Sequence, residues 1–350
     1  MNDMKAAIFK AADTIAVEVI DKPVIKESTD AIVRVVRACV CGSDLWYYRG
    51  IAEHGVGTIG HEFIGVVEEI GDDVKKVSVG EFVIAPFAFS DGTCPHCEAG
   101  FQTACTHGGF FGAGIGDDGG QAEYVRVPQA DGTLAVVPGG DFSDEMLASL
   151  LTLSDVMGTG YHAAISAEVK EGDTVVVVGD GAVGLSGVLS AKMLGARRII
   201  AMSRHADRQA LAREFGATDI IAERGDEAIA KVMELTNSVG ADAVLECVGT
   251  NEAMRTAFAV TRPGGIVGRV GVPHDVEIDA GRTFVRNIGM RGGPAPVKAY
   301  MDVLLSAVID GTINPGKVFD LTVDLDHIAD AYKAMDERRA IKALITVSEL

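Results

Sequence analysis

The chain has 350 residues, more than one small domain usually holds, and its length suggests two to three domains. With 48% hydrophobic and 23% charged residues it can bury a full core, which excludes a largely disordered chain. Thirty-one basic against 50 acidic side chains leave a formal charge of −19, which repels a phosphate backbone and argues against a nucleic-acid partner. Glycine is abundant, at 42 residues, so many tight turns and close backbone approaches are expected.

The first residues, MNDMKAAIFKAADTIAVEVID, carry charges throughout and lack the apolar block of a signal peptide. The most apolar run, 174–191, is broken by Asp180 and four glycines, so it reads as strand, turn and helix and not as a membrane span. A cytoplasmic chain with no membrane partner is the expectation. Six cysteines in a reducing compartment then point to metal or chemistry before disulfides.

Up to about residue 155, short alternating runs are separated by Gly, Pro and Asp, as in a curled β domain. They are AIVRVVRA (31–38), EFIGVVEEIG (62–71) and EFVIAPFAF (81–89). Two polar clusters lie among them, Cys41-Gly-Ser-Asp and Gly60-His61-Glu62. Cys and His with a later carboxylate can form a three-ligand zinc site that leaves a fourth position for water or substrate. A small core Cys and a satisfied buried imidazole read the same residues structurally, and spacing alone does not choose. Cys94, Cys97 and Cys105 form a further group.

From about 170 to 290 the texture changes to strand, then helix, repeated. TVVVV (174–178) leads into a helical stretch ending near Gly195, and RIIAM (198–202) into HADRQALAREFG. TDII (218–221) precedes another helical run, ADAVLEC (241–247) precedes NEAMRTAFAV, and GGIVGRVGV (264–272) closes the series. This alternation predicts a doubly wound parallel sheet. The tail holds a predicted helix over 298–310, INPGKVFDL, the helix DHIADAYKAMDERR and a last strand KALITV. It is too short for a domain and is expected to pack against the N-terminal part.

Gly179, Gly181 and Gly184, with Asp180, Ala182 and Val183 between them, spell G-x-G-x-x-G between a buried strand and a helix. The first glycine permits the turn, the second admits a pyrophosphate to the backbone, and the third lets helix and strand pack closely. The helix N-terminus then faces the phosphates with its partial positive charge. Gly179, Gly181, Ala182, Val183 and Gly184 are therefore candidate coenzyme contacts. At the end of the second strand an NAD site usually places Asp or Glu on the ribose hydroxyls. Here the chain reads Met202-Ser203-Arg204-His205, with Arg208 one turn later. A guanidinium can grip a 2′-phosphate where a carboxylate would repel it, so Ser203, Arg204 and Arg208 point to NADP(H). The plainer alternative makes Ser203 a helix cap and Arg204 a solvated side chain.

Taken together, the chain resembles the zinc-dependent medium-chain dehydrogenase/reductase family of the alcohol dehydrogenase type. The resemblance is carried by C-G-S-D at 41–44, G-H-E at 60–62, the Cys group at 94–105, D-V-M-G-T-G-Y-H at 155–162, the glycine motif, and A-Y-K-A-M-D-E-R-R-A-I-K at 331–342. It implies a GroES-like catalytic domain over 1–155, completed by 296–350, with a Rossmann domain at 156–295 and zinc in the cleft. Carried over residue by residue, it implies catalytic zinc ligands Cys41, His61 and Asp155, with Glu62 as a carboxylate able to approach the metal. Asp155 stands where many members have a second Cys; both bring one negative charge, and the harder oxygen favours a stronger Lewis acid. Ser43 would take the hydroxyl proton, and Thr159 with Gly160 would lie on the nicotinamide side. The position of the family's relay histidine holds Trp46, so the proton would leave by water with Asp44, Tyr47 or His54. The structural zinc lobe, C-x₂-C-x₂-C-x₇-C in the family, begins here with Asp91, giving Asp91, Cys94, Cys97 and Cys105. Asp91 as a simple turn residue, with His96 or His107 in its place, is the alternative.

The resemblance implies an oxidoreductase moving hydride between NADP(H) and a small alcohol, aldehyde or ketone, working as a dimer or tetramer. Trp46, Phe87, Phe89, Phe110 and Phe111 are candidates for an apolar substrate pocket or for plain core. Two other expectations stay open: a polyol or amino-alcohol dehydrogenase on the same scaffold, and a non-catalytic NADPH-binding structural or sensor protein.

Overall fold

The structure, a computed structural model, describes residues 3–113 and 118–350. Its contacts divide into two compact units, Met1–Asp155 with Pro296–Leu350, and Val156–Ala295.

The first unit is built on a seven-stranded sheet. Its path runs Ala135–Val136, Phe82–Ala85, Phe63–Ile70, Ala31–Cys39, Ala343–Thr346 and Leu321–Asp324, and Tyr124–Val127 also pairs with Ala31–Cys39. The three alternating runs of the sequence supply its middle. The tail supplies an edge: Leu344, Ile345 and Thr346 pair antiparallel with Cys39, Ala38 and Arg37. The N-terminal stretch, left unassigned by the alternation, forms the hairpin Asp3–Ala11 and Thr14–Asp21, with Asp13 in the left-handed region at its turn. Inward-facing Val33, Val35, Phe63, Val67, Val83 and Tyr332 join one apolar core. The strand that carries Cys41 out of the sheet and the one that follows His61 are therefore fixed by burial on one face.

The second unit holds a parallel six-stranded sheet. Its order is Asp219–Ile221, Arg198–Met202, Thr174–Val178, Ala241–Glu246, Thr261–Arg269, Gly289–Gly292. The Val run is central and buried on both faces, so it is apolar without alternation. The strand order reverses beside it, which is where open α/β sheets bind ligands. Val176, Val178, Ile200, Val244 and Val267 form the core with Met254 and Phe258 from the helix Asn251–Val260. No helix among the described residues is long and apolar enough to cross a membrane.

Candidate metal centre and nucleotide loop

Ligand atoms of Cys41, His61, Glu62 and Asp155 all lie within 4.8 Å of one another in the first unit. Cys41 follows the strand Ala31–Cys39, His61 and Glu62 precede Phe63–Ile70, and Asp155 closes the turn after the helix Asp144–Thr152. Residues spread over 114 positions thus meet because the sheet pairs the first two segments side by side. Cys41 Sγ lies 3.6 Å from Asp155 Oδ2, and His61 Nε2 lies 3.4 Å from the same oxygen. Zinc bonds of about 2.0–2.3 Å at tetrahedral angles set donor–donor edges of about 3.3–3.8 Å. The donor set fits that ion in both spacing and chemistry.

The surroundings fit as well. His61 Nδ1 faces Asp44 Oδ1 at 3.3 Å, which turns Nε2 toward the cluster. Asp44 Oδ2 accepts from Cys41 N–H at 3.0 Å and from Gln121 Nε2 at 3.2 Å, and Tyr332 Oη donates to Gln121 Oε1 at 2.8 Å. Burial pushes the Cys41 thiol up, and the Glu62 and Asp155 carboxylates add to it. Burial opposes a proton on His61, yet Asp44, Cys41 and the hydrogen bond to Asp155 outweigh it and raise its pKa well above the ordinary range. A thiol, an imidazole and two carboxylates gathered in one buried place are a donor set that a metal cation would convert to its deprotonated form.

Glu62 is differently placed from Asp155. It is fully buried, and its Oε2 accepts from Lys342 Nζ at 2.6 Å. Lys342 is itself 1% exposed and also donates to the Val40 carbonyl at 3.2 Å. Burial alone would strip its proton, but the neighbouring Cys39 and Glu62 hold it there. One Glu62 oxygen is thus committed to an ammonium, while Oε1 is buried without a partner. Lys342 escaped notice in the sequence, although a lone cation inside the apolar run AIKALITV was a signal.

Ser43 Oγ sits 3.4 Å from His61 Nε2, at the rim of the cluster. Of the residues considered for a proton path, Asp44 is spent on holding His61. His54 packs between Phe9 and Tyr47, with both ring nitrogens against the carbonyls of Gly55 and Gly112. The aromatic residues divide. Phe111 is core, edge-on to Phe63 and Phe89. Phe87 stands edge-on to His61 at 6.2 Å and stacks on the half-exposed Phe110.

The second group is Asp91, Cys94, Cys97 and Cys105, again with ligand atoms within 4.8 Å. All six cysteines are free, and Cys94 Sγ lies 3.9 Å from Cys105 Sγ, close to a zinc–thiolate edge and far from a disulfide. Asp91 Oδ1 does hold a turn, accepting from Thr93 N–H at 2.8 Å and Cys94 N–H at 2.9 Å. His107 Nδ1 meets Asp91 Oδ2 at 2.6 Å, so it supports the carboxylate from outside the cluster. Burial works against ionisation of Asp91, but His107 and the two N–H groups hold it well below the usual carboxylate range.

In the second unit, Gly179 has φ +118, and a Cβ there would meet the Val248 side chain at 2.9 Å. A Cβ on Gly184 would lie 2.1 Å from the Gly179 carbonyl, so strand and helix could not close up. Gly181 differs: a Cβ would meet nothing within 4 Å, and this residue caps the helix Ala182–Met193. The protein does not need that space, and a pyrophosphate approaching the helix N-terminus does. Thr159 is buried, and Gly160 gives close packing, since a Cβ would lie 2.6 Å from Gly187 N. Ser203 does not cap the next helix, whose N-cap is His205 without a side-chain bond. Its hydroxyl donates to Asp180 Oδ2 at 2.8 Å, and Arg208 pairs with Asp180 Oδ1 at 3.2 Å.

Comparison with known proteins agrees with both units. Residues 27–139 match the alcohol dehydrogenase GroES-like domain, and residues 182–301 match the zinc-binding dehydrogenase domain. A zinc-type alcohol dehydrogenase B of Aspergillus flavus is 35% identical, over 99% of this chain and 82% of the relative. An NADP-dependent isopropanol dehydrogenase of Clostridium beijerinckii is 35% identical over 69% of each chain. The solved alcohol dehydrogenase of Thermus sp. ATN1 superposes with a TM-score of 0.91 at 33% identity, covering 99% of this chain and all of that one. The chain belongs to the zinc-binding medium-chain alcohol dehydrogenase family, with a GroES-like domain and a Rossmann-type sheet.

Proposed function

We propose that this enzyme exchanges hydride between NADP(H) and a small apolar or aromatic alcohol, aldehyde or ketone, with Cys41, His61 and Asp155 as its catalytic metal ligands. The observation that carries the metal assignment is Asp155 Oδ2 at zinc-edge distance from both Cys41 Sγ and His61 Nε2, with one Glu62 oxygen already engaged by Lys342. When bound, zinc and the nicotinamide supply Lewis-acid polarisation of the substrate oxygen and a site for hydride. The chain's own residues do the rest. Asp44 orients His61, Ser43 Oγ beside His61 Nε2 takes up the alcohol proton while passing its own on toward solvent, or in reverse hands a proton to the oxygen of the carbonyl being reduced, and Phe87 with Phe110 presents an apolar wall. Overall, alcohol and NADP⁺ give carbonyl, NADPH and one proton.

The coenzyme preference rests on Ser203 and Arg204, with no carboxylate closing the strand Arg198–Met202. Arg204 is exposed and has no ion pair among the described residues, so its guanidinium is available to a 2′-phosphate. The NADP-dependent Clostridium relative is consistent with this choice. Initial rates with NADPH and NADH over a panel of simple carbonyls, before and after chelation, test the whole reading. Arg204→Asp is expected to weaken NADPH by about a hundredfold, two lost charge-assisted bonds plus repulsion, and NADH far less. An unchanged preference defeats the coenzyme assignment.

For the second cluster, the proposal is a closed structural zinc site in which Asp91 replaces a thiolate. Metal analysis is expected to find close to two zinc per chain, and Asp91→Ala to reduce this toward one and lower the thermal midpoint. One zinc in the wild type, unchanged by that substitution, removes the proposal.

A further inference from the structure

We infer that Asp180 sets how strongly this chain selects a 2′-phosphate, by occupying two of the three groups that would grip it. The inference rests on the NADP(H) reading and adds the residue that limits it.

Asp180 lies inside the glycine loop, between Gly179 and Gly181, and its carboxylate spans to the end of the second strand. Oδ2 accepts from Ser203 Oγ at 2.8 Å, and Oδ1 pairs with Arg208 Nη1 at 3.2 Å. The Arg208 side chain is 14% exposed and that of Asp180 22%, so the pair is mostly shielded from solvent and salt. Arg208 also reaches the Asp180 carbonyl at 3.4 Å, and Gln209 Nε2 holds the Ser203 carbonyl at 2.8 Å. The two arginines are therefore unequal. Arg204 stands exposed and unpaired among the described residues, while Arg208 is already neutralised.

An acid one hydrogen bond away from the ribose-end serine acts on a 2′-phosphate in two ways. It competes for Ser203 and Arg208, and it repels the phosphate charge directly. The repulsion and the loss of Arg208 do not act on a ribose that carries only hydroxyls, which has no charge for either to work on. Asp180 is thus a specificity-determining residue that holds phosphate selection below what the neighbouring cations could provide. Asparagine at this position keeps an oxygen for Ser203 and removes the charge.

Calorimetric titration of the full chain with 2′,5′-ADP and with 5′-AMP isolates the ribose end from turnover. Asp180→Asn is expected to tighten 2′,5′-ADP about tenfold and leave 5′-AMP within about twofold. The double variant Asp180→Asn with Arg208→Gln removes the pair as a neutral unit and is expected to bind 2′,5′-ADP like the wild type. Unchanged or weaker 2′,5′-ADP binding by Asp180→Asn, with 5′-AMP intact, overturns the inference. Should that single variant lose 5′-AMP binding, the double variant decides: weaker 2′,5′-ADP than wild type means Arg208 grips the phosphate directly and the inference fails. A wild type that does not prefer 2′,5′-ADP over 5′-AMP overturns the NADP(H) reading instead.

Discussion

Lys342→Met is expected to cost the metal-free protein about 3–5 kcal/mol of stability, the penalty for leaving one partner of a buried ion pair alone. Lys342 and Glu62 are 1% and 0% exposed, and their 2.6 Å contact is the deepest ion pair described in the chain. With the ammonium gone, Glu62 Oε2 joins Oε1 as a buried oxygen without a donor. Glu62→Gln in the same background removes the stranded charge, and denaturant unfolding of the single and double variants should show most of the loss recovered. Zinc loading is expected to recover part of it too, since the freed carboxylate borders the Cys41, His61 and Asp155 donors. A single variant as stable as the wild type in the metal-free form would mean that Glu62 is reached by water or protonated at little cost.

Asp155→Asn is expected to lower kcat/KM by a factor on the order of 10³ or more, since it removes an anionic ligand from a Lewis-acid site worth several kcal/mol. Zinc content should fall by one ion per chain while the thermal midpoint moves only a few degrees, because asparagine has the same shape. Asp155 Oδ2 stands 3.6 Å from Cys41 Sγ and 3.4 Å from His61 Nε2, both within reach of one shared ion. Glu62 is the competing third ligand. Turnover retained at full zinc occupancy would transfer the role to it, through the Oε1 that Lys342 leaves unengaged.

The motifs made the general site legible because each is local. C-G-S-D, G-H-E and the Cys group each bring their donors within a few residues, and the glycine motif follows a strand directly, so short-range geometry carries most of their meaning. The third ligand proposed, Asp155, came from resemblance alone, since it lies 114 positions from Cys41 and no spacing rule relates them.

Strand–helix alternation and the position of the glycine motif were enough, from sequence, to establish a parallel sheet with a nucleotide loop and a β domain ahead of it, because periodicity of burial is written into successive side chains. Which charges are already spent depended on folding. Lys342 reaches Glu62 from 280 residues away through the pairing of the last strand with Ala31–Cys39. Arg208 is claimed by Asp180 because the glycine loop and the second strand end side by side. Ion pairs are settled by distance in space, and only the sheet register supplies that distance.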